Sequence, residues 1–484
     1  MNWEEISFEE IENLGIVDPK LQGLFSRVAN GLLKHRVMDR EVVLANLQMV
    51  LEHPELFVKR REDKFKNLAK QIIKKRKQGA QEESGAIQHD LRSTSAYFKV
   101  FGKELIEPGA FAQMETAARL PISIAGALMP DAHQGYGLPI GGVLATQPDT
   151  IIPYAVGVDI ACRMCMSIFD LPASTIESEK TNLKSLLMNH THFGIGSTSK
   201  ERLDTSVLDR REWNEIKTLR VLKDKAYAQL GTSGTGNHFV EWGELSVQNN
   251  TLQGLPGGRY LALLSHSGSR GFGGSVANTY STIAMKKTVL PRDARHLAWL
   301  DLNTEEGQEY WIAMNLAGDY ASANHHEIHN KIARHLGVSP VMRIENHHNF
   351  AWKEQLDNGT EVMVHRKGAT PAGAGILGII PGSMTTPGFI VRGRGSSGSL
   401  NSAAHGAGRV MSRNAAYRFL DPKKVEEELR QKKVTVIGSG LDEAPMVYKD
   451  INAVMAAQDE LLDILARFQP RIVRMADPRE KPED

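Results

Sequence analysis

Apolar residues recur at helical spacing through the first 80 residues of the chain. They do so in 41-EVVLANLQMVLEH-53, and in the basic segment 58-VKRREDKFKNLAKQIIKKRKQ-78 apolar side chains fall three and four residues apart at Phe65, Leu68 and Ile72. The pattern predicts a helical N-terminal module over residues 1–80 that ends in a basic amphipathic helix over residues 58–78. The small and polar stretch 79-GAQEESGAI-87 is typical of a linker, which we place at residues 81–95.

The pattern changes beyond about residue 95. Short apolar runs such as 139-PIGGVLAT-146 and 388-GFIVRG-393 alternate with glycine-rich turns and with a few helical segments such as 423-KKVEEELRQKK-433. This alternation predicts an α+β domain with a mixed sheet and flanking helices over residues 96–484.

Charge and composition exclude several classes of protein. The 484 residues carry 58 Lys and Arg against 57 Asp and Glu, so a polyanionic partner would have to be held by local basic patches. The apolar runs fall well short of the ~20 residues that a membrane-spanning helix needs, and the acidic start MNWEEISFEE contains no signal-peptide core. We therefore expect a soluble, cytoplasmic protein with no membrane partner. The two cysteines, Cys162 and Cys165, are too few for a secreted disulfide framework.

Candidate metal ligands lie in glycine-rich or polar loops. The segment 157-GVDIACRMC-165 offers a carboxylate and a thiolate three residues apart, and three further loops each offer a histidine beside small or polar residues. One thiolate, one carboxylate and three imidazoles suffice for two divalent ions with positions left open for phosphate oxygens, and they suit manganese or zinc better than calcium. The residue pattern alone is also compatible with an inert buried cysteine or a redox pair. The five candidates are Asp159, Cys162, His238, His266 and His348.

Glycine-rich loops could also hold phosphate. No G-x-x-x-x-G-K-[ST] motif occurs, which argues against a P-loop nucleotidase. The loop 393-GRGSSG-398 matches the dinucleotide-binding fingerprint and follows the apolar 389-FIV-391, but Asp421 lies too far beyond it to be a good ribose partner. This loop and 231-GTSGTGN-237 could instead bind phosphate oxygens through backbone N–H groups.

His405 is surrounded by small residues in 399-SLNSAAHGAGRVMSR-413. The spacing predicts a helix that starts near Asn401 or Ser402 and carries two arginines on the face of His405, four and eight residues beyond it. Because the space around the ring would admit a phosphorylated group, we interpret His405 as a nucleophile that forms a phosphoramidate. A tightly packed glycine-rich helix with an incidental histidine is the alternative.

A series of short motifs spans the chain from about residue 96 to residue 475. In chain order they are 130-PDAHQGYG-137, 157-GVDIAC-162, 236-GNHF-239, 266-HSGSRG-271, 347-HHN-349, 365-HRKGAT-370, 380-IPGSM-384, 405-HGAGR-409 and 448-YKD-450. Together they closely resemble the RtcB family of GTP-dependent RNA ligases, which join a 2′,3′-cyclic-phosphate or 3′-phosphate end to a 5′-hydroxyl end.

The resemblance implies an RtcB-type catalytic core that uses GTP and two Mn²⁺ ions. His405 matches the histidine that takes GMP from GTP, before the RNA 3′-phosphate accepts the GMP and the 5′-hydroxyl displaces it. The ions would share Cys162 as a bridging ligand, with Asp159 and His238 on one and His266 and His348 on the other. The implied nucleotide contacts are Asn237 and Arg409 at phosphate, Glu241 and Tyr448 at guanine, and Ser383 in the guanine pocket.

The resemblance also implies an RNA substrate in repair or tRNA splicing, and it raises an archease-like activator as a partner. The chain departs from the family pattern at Ala161 and Ala404, where glycine and serine are usual, and at Met475, near which a guanine-holding lysine is expected. Guanine selectivity is therefore open, as are the oligomeric state and the roles of Asp131 and His133. A manganese-dependent RNA cyclic phosphodiesterase and an RNA-binding paralogue without ligation are the alternative functions. The basic segment could grip RNA or form a solvated face.

Overall fold

The chain divides into two compact units, Met1–Ala86 and Ile87–Asp484. The computed structural model describes residues 5–14, 16, 19–58, 63–82, 86–248 and 251–480. The N-terminal unit packs short helices around an apolar core that includes Phe25, Leu47 and Phe57. Its helices are α1 Phe8–Asn13, α2 Pro19–Lys34, α3 Arg40–Glu52, α4 Pro54–Val58 and α5 Lys66–Glu82.

The basic segment 58–78 does not form one continuous helix, so that prediction was wrong. Residues 59–62 lie outside the described residues, and α5 begins only at Lys66. It begins there because Asp63 accepts the amide N–H of Phe65 on its carboxylate and that of Lys66 on its carbonyl, a role that aspartate favours at helix starts. The predicted apolar stripe is buried at Phe65, Leu68 and Ile72.

The larger unit contains two main sheets. Its strands are β1 Ile87–Gln88, β2 Phe98–Val100, β3 Ser123–His133, β4 Ile140–Thr146, β5 Thr150–Ile151, β6 Arg163–Pro172, β7 Phe239–Val247, β8 Gly258–Ser267, β9 Thr288–Val289, β10 Leu300–Asp301, β11 Pro340–His347, β12 Asn349–Gln355, β13 Glu361–Lys367, β14 Ala369–Pro371, β15 Leu377–Ile380, β16 Gly388–Gly393, β17 Ser402–Ala404, β18 Thr435–Ile437 and β19 Leu462–Arg474. The first sheet has the order β11-β6-β8-β7-β19-β16-β15, with β18 beside β19, and the second has the order β12-β13-β4-β3-β2. Most neighbours in these sheets are antiparallel, whereas β2 with β3 and β18 with β19 are parallel.

Helices flank these sheets, which confirms the predicted α+β class with a mixed sheet. An apolar cluster joins Met129 and Val143 of the second sheet to Ile380 and Phe389 of the first. Among the described residues, no helix has the length and apolar character needed to cross a bilayer. The helices are α6 Pro108–Ala118, α7 Pro153–Val156, α8 Thr175–Ser178, α9 Lys180–His190, α10 Glu212–Glu215, α11 Lys217–Gln229, α12 Arg270–Lys287, α13 Glu305–Leu336, α14 Arg413–Phe419, α15 Pro422–Gln431 and α16 Ile451–Ala456, with 3-10 turns at Lys103–Leu105, Ser206–Asp209, Arg295–Leu297, Ser397–Ser399, Leu441–Glu443 and Pro445–Val447.

The long helix α13 lies against β6 and β8 of the first sheet. It starts at the Thr304 side chain, which accepts the Gly307 amide, and ends at Gly337 in the left-handed conformation. Its buried face combines apolar residues with an unusual polar row. The polar row is Asn324, His325 and His329, all fully buried.

The segment around His405 is a strand followed by a tight turn, so the helix predicted from Asn401 or Ser402 was wrong. β17 pairs with β14, and the next helix, α14, begins only at Arg413. The turn depends on Gly408, which has a φ of 72° and touches the Asp131 backbone so closely that a Cβ there would collide with the carbonyl. Small residues in this stretch therefore serve a close backbone approach, and no helical face carries the two arginines beside His405.

The glycine loop 393–398 also differs from a dinucleotide-binding turn. It leads from β16 through a short 3-10 turn at Ser397–Ser399 into strand β17. A dinucleotide fingerprint requires a helix whose N-terminus receives the pyrophosphate. The loop therefore does not form the βα unit that the dinucleotide interpretation needs.

Candidate active site

Cys162 stands at the end of a tight turn between α7 and β6. The turn needs left-handed backbone at Gly157, with a φ of 103°, and at Ala161, with a φ of 57°. Alanine pays about 1–2 kcal/mol for this conformation, whereas glycine adopts it freely. The Ala161 amide donates to the Asn349 carbonyl at 2.7 Å, and the turn brings the Asp159 carboxylate back beside Cys162.

Three imidazole rings converge on the Cys162 thiol. Nε2 of His238 lies 3.4 Å from Cys162 Sγ and 3.1 Å from Asp159 Oδ2. Nε2 of His266 lies 3.1 Å from the same sulfur and 3.3 Å from Nε2 of His348. The structure thus brings the five candidate ligands into two groups that share Cys162, one with Asp159 and His238 and the other with His266 and His348.

Neighbouring strands of the first sheet position these ligands. His266 lies on β8 and faces Met164 of β6 on one side and Phe239 of β7 on the other. Cys162 directly precedes β6, and His238 directly precedes β7. The ends of these strands lie at one edge of the sheet and so bring together candidate ligands that are far apart along the chain.

Hydrogen bonds fix the orientation of two of the rings. Nδ1 of His238 lies 2.6 Å from the Ser233 carbonyl, and Nδ1 of His266 lies 3.0 Å from the Asn237 carbonyl. Because a carbonyl only accepts, both Nδ1 atoms carry a proton, and both Nε2 atoms face the thiol as the nitrogens that an ion would bind. Burial lowers the pKa of His266 well below its usual value and so favours the neutral, ligating ring.

Asp159 is the acidic member of the cluster. Burial would raise the pKa of its carboxyl, but the hydrogen bond and positive charge of a doubly protonated His238 outweigh burial and lower the pKa below its usual value. A cation bound at His238 Nε2 would take the place of that proton. An ionised carboxylate, a thiol and neutral imidazoles that converge on common points form a donor set that fits divalent transition metals. The residues present therefore fit a two-metal centre with Cys162 as the shared ligand.

His405 lies beside this cluster and is held by Asp131. The fully buried Asp131 carboxylate accepts the His405 backbone N–H at 3.0 Å, the Gly406 N–H at 3.4 Å and the His405 ring at Nδ1 at 2.7 Å. The proton on Nδ1 leaves Nε2 of His405 as the nucleophilic nitrogen. The His405 and His348 ring centroids are 4.9 Å apart, so this nitrogen belongs to the metal-ligand region.

A cavity of about 390 Å³ extends from His405. Two of the candidate metal ligands, His266 and His348, line it on one side, and Met475 and Phe239 line its apolar part. A second cavity of about 220 Å³ reaches Asp159 and His238, and Asn237 lines both. The larger cavity is lined by all six residues that the sequence suggested for nucleotide contact, namely Asn237, Glu241, Ser383, His405, Arg409 and Tyr448.

Two neighbouring acidic residues, Asp442 and Glu443, bind the polar side chains that line the rim of the larger cavity. Glu443 pairs with Arg409 and Arg413 and accepts a hydrogen bond from the Tyr448 hydroxyl. The Asp442 carbonyl accepts a second hydrogen bond from Arg409 at 2.7 Å. Burial, followed by the nearby Glu443 charge, raises the pKa of Tyr448 well above its usual value, so the hydroxyl stays protonated and donates.

At the floor of the larger cavity, mostly apolar side chains surround a single acidic residue, Glu241. Glu241 is almost fully buried, and burial raises the pKa of its carboxyl well above the usual value. Val473 and Met475 of the chain end, together with Met384 and Phe239, form an apolar cluster at this floor. The side chain of Met475 thus contributes a thioether where the resemblance suggested a lysine.

Sequence reasoning missed the roles of Asp131 and Glu443. Asp131 was noted near the site, but its partner His405 is 274 residues away, and nothing local indicates that pairing. Glu443 belongs to 440-GLDEAP-445, which reads as an ordinary acidic turn. Both acids are nearly inaccessible to solvent, and burial of a charged residue beside a cavity is the signal that only the folded chain supplies.

Comparison with known proteins agrees with this geometry. A family model described as "tRNA-splicing ligase RtcB" matches residues 113–223 and 210–476. The "RNA-splicing ligase RtcB" of Escherichia coli strain K12 is 34% identical over 413 residues, which cover 78% of this chain and 96% of that protein. The "tRNA-splicing ligase RtcB" proteins of Thermococcus kodakarensis and Pyrobaculum aerophilum are each 31% identical, over 71% and 72% of this chain and 86% and 85% of their own lengths. The chain belongs to the RtcB family.

Proposed function

We propose that this protein is a GTP-dependent RNA ligase that joins RNA 2′,3′-cyclic-phosphate or 3′-phosphate ends to 5′-hydroxyl ends. The observation that carries the proposal is the pairing of His405 with Asp131, which frees Nε2 in a cavity that His348 also lines. A histidine held in one tautomer with its second nitrogen directed into a cavity is suited to nucleophilic attack on phosphorus. The names of the relatives agree with an RNA substrate.

The proposed reaction has three phosphoryl or nucleotidyl transfers. His405 Nε2 attacks the α-phosphorus of GTP, a nitrogen–phosphorus bond forms, and pyrophosphate leaves. An oxygen of the RNA 3′-phosphate then attacks that phosphorus, which frees His405 and leaves GMP on the RNA end. The RNA 5′-hydroxyl finally attacks the 3′-phosphorus, loses its proton and displaces GMP. A cyclic phosphate would first be opened by one water molecule.

Asp131 has a defined part in the first transfer. When Nε2 attacks, the imidazole gains positive charge, and the Asp131 carboxylate hydrogen-bonded to Nδ1 stabilises that charge. When RNA takes the GMP, the same bond returns the ring to its starting tautomer. Asp131 is thus a positioning and charge-stabilising residue for His405.

Two manganese ions are the proposed metal content. Bound divalent metal would supply charge neutralisation at phosphate oxygens and activation of a water or hydroxyl nucleophile. Asp159, Cys162 and His238 would hold one ion, and Cys162, His266 and His348 the other. We assign Asn237 and Arg409 to nucleotide phosphates, Glu241 and Tyr448 to the base and Ser383 to the base pocket, while His133, which also lines the cavity, keeps no assigned role.

We propose that residues 1–80 form a separate helical module, joined by a linker at residues 81–95 to a catalytic domain over residues 96–484. The basic residues around α5 are a candidate grip on RNA, and the archease-like activator and cytoplasmic location remain predictions. The expected pathways are RNA repair and tRNA splicing.

The test is incubation of the purified protein with Mn²⁺ and α-³²P-labelled GTP, followed by a denaturing gel. The wild type is compared with His405→Ala and with His53→Ala, which removes an exposed histidine of the N-terminal unit. Label on the wild type and on His53→Ala but not on His405→Ala supports the proposal. A second assay follows the joining of RNA fragments with 3′-phosphate and 5′-hydroxyl ends. Opening of cyclic phosphate that survives in His405→Ala, without label or joining in the wild type, would favour a phosphodiesterase instead.

A further inference from the structure

A continuous row of buried hydrogen bonds runs behind the metal cluster, between α13 and the first sheet. Ser167 Oγ lies 2.8 Å from His329 Nδ1, His329 Nε2 lies 2.7 Å from Ser265 Oγ, and Ser265 Oγ lies 2.6 Å from His325 Nδ1. Nε2 of His325 then reaches the Ser267 carbonyl at 3.1 Å. All four side chains are fully buried, so each of these bonds replaces contact with water.

The chemistry at the two ends fixes the direction of every bond. The Ser267 carbonyl only accepts, so His325 carries its proton on Nε2 and accepts the Ser265 hydroxyl on Nδ1. Ser265 must then accept the Nε2 proton of His329, whose Nδ1 accepts the Ser167 hydroxyl. At the other end, the Arg343 guanidinium can only donate, and it donates to Ser167 Oγ at 3.1 Å.

The direction requires both rings to be neutral, and their surroundings agree. Burial lowers the pKa of His325 to about 3 and that of His329 well below its usual value. Cys165 lies close enough to both histidines to suggest a third metal site. Since all four ring nitrogens already take part in hydrogen bonds, the hydrogen-bonded row accounts for these side chains without an ion.

The row ends on backbone that carries the candidate metal ligands. The Ser267 carbonyl that accepts from His325 also lies 3.5 Å from Cys162 Sγ, and Ser267 directly follows His266. The N–H of His325 draws electron density from this carbonyl and so lessens its repulsion of a Cys162 thiolate. Two residues on, the Ser269 amide donates to the Asp159 carboxylate at 3.2 Å.

Asn324 extends the same support to His238. Its amide oxygen accepts the N–H groups of Gly231 and Thr232 at 2.7 and 3.2 Å, and its amide nitrogen donates to the Thr232 carbonyl at 2.9 Å. The next carbonyl along, that of Ser233, is the one that fixes the His238 ring. One face of α13 therefore holds the backbone on both sides of the thiol.

We propose that Asn324, His325 and His329 of α13 are positioning residues for the metal cluster, acting through the carbonyl groups of Ser233 and Ser267. The inference rests on the proposed two-metal function. Partners that orient metal ligands typically contribute about 10–100-fold to metal affinity. Loss of the row should therefore weaken metal binding without removing any ligand.

The test uses the full-length protein with Co²⁺ alone as a spectroscopic probe and a parallel Mn²⁺ titration followed by electron paramagnetic resonance. The variants are His325→Leu, which removes both hydrogen bonds, and His325→Gln, whose amide can both donate to Ser267 and accept from Ser265. Ile328→Ala is the matched control, because Ile328 is fully buried on α13 but packs in an apolar cluster. Ser265→Ala is a milder variant for the case in which His325→Leu does not fold.

We expect His325→Leu to weaken Co²⁺ and Mn²⁺ binding by about 10–100-fold and to shift the thiolate-to-cobalt absorption, with substantial recovery in His325→Gln. Ser265→Ala should change affinity and spectrum in the same direction by less, and Ile328→Ala should lower thermal stability with neither change. Folded His325→Leu or Ser265→Ala with wild-type affinity and spectrum would overturn the inference alone. A folded wild type that binds neither ion would overturn the proposed metal centre and the inference together.

Discussion

The two ends of the large cavity are built on different principles. At the His405 end, hydrogen bonds to carbonyl groups or to a buried carboxylate orient several of the side chains, as in the pairs His266–Asn237 and His405–Asp131. At the floor around Glu241, the neighbours are largely apolar, and the carboxyl lies in a region where burial raises its pKa. Chemistry at phosphorus needs fixed atoms, whereas recognition of a flat base tolerates apolar contact. Substitutions at the first end should therefore remove function, and substitutions at the second should tune it.

The largest effect is expected from Cys162→Ala. This change removes the one donor shared by both candidate metal groups, so we expect loss of both ions and of RNA joining. Metal content measured by mass spectrometry after dialysis against Mn²⁺ checks the result. Cys165→Ala serves as the control, because Cys165 is equally buried but lies outside both groups that share Cys162. Full metal content in Cys162→Ala would contradict the shared-ligand arrangement.

Asp131→Asn should come next in size. The variant keeps the shape of the side chain but removes the charge that steadies the His405 ring, so the rate of nucleotide transfer to His405 should fall by about 10²–10⁴-fold. Rapid-quench labelling with α-³²P-GTP measures that rate. Metal content should stay at the wild-type level, since Asp131 is in neither metal group. A variant that loses metal along with labelling would show that Asp131 supports the cluster instead.

Glu443→Gln tests the rim of the cavity. The substitution weakens the hold on Arg409 and Tyr448, and a hydrogen bond to a charged group contributes about 1.5–3 kcal/mol. We expect the KM for GTP to rise by about tenfold, with a smaller change in kcat, because in the proposed function the rim orients the nucleotide and does not react. Steady-state joining of RNA fragments over a range of GTP concentrations separates the two constants. A fall in kcat at unchanged KM would place Glu443 in the chemical step.

Met475→Lys tests the floor and should have a smaller effect. A lysine at this position would bring a cation towards Glu241, lower the pKa of that carboxyl and favour the carboxylate, which can accept two N–H groups from guanine but one amino group from adenine. We expect the preference for GTP over ATP to increase, with rates at saturating GTP near those of the wild type. Competition labelling with both nucleotides measures the ratio. Met475→Gln, which is polar but uncharged, is the matched control.

From the sequence alone, the side chains that come together at the candidate metal centre could be predicted far better than the local fold around them. Asp159, Cys162 and His238 were identifiable because each lies in a loop rich in glycine or small residues, where a metal can approach. The helix expected at His405 failed because the same small residues serve a turn that packs Gly408 against Asp131. Small side chains occur both in closely packed helices and in tight turns, so the pattern of residues around His405 could not distinguish a helix from a turn. The hydrogen bonds from α13 to the backbone beside the candidate metal ligands could not be predicted either, because they join segments that are far apart in the sequence and that only the folded sheet brings together.

Ala161→Gly is expected to have the smallest effect. It tests the turn that positions Cys162, on the side of the metal cluster. Ala161 holds a left-handed conformation with a φ of 57°, which costs an alanine about 1–2 kcal/mol, while glycine loses about 0.4–1 kcal/mol through its freer unfolded chain. The difference predicts a gain of about 0.5 kcal/mol in the free energy of unfolding, measured by denaturant titration. Metal affinity should not change, because the Ala161 amide keeps its bond to Asn349. Ala403→Gly, at a strand position without a positive φ, should destabilise the protein instead and so separates relief of strain from a general effect of glycine.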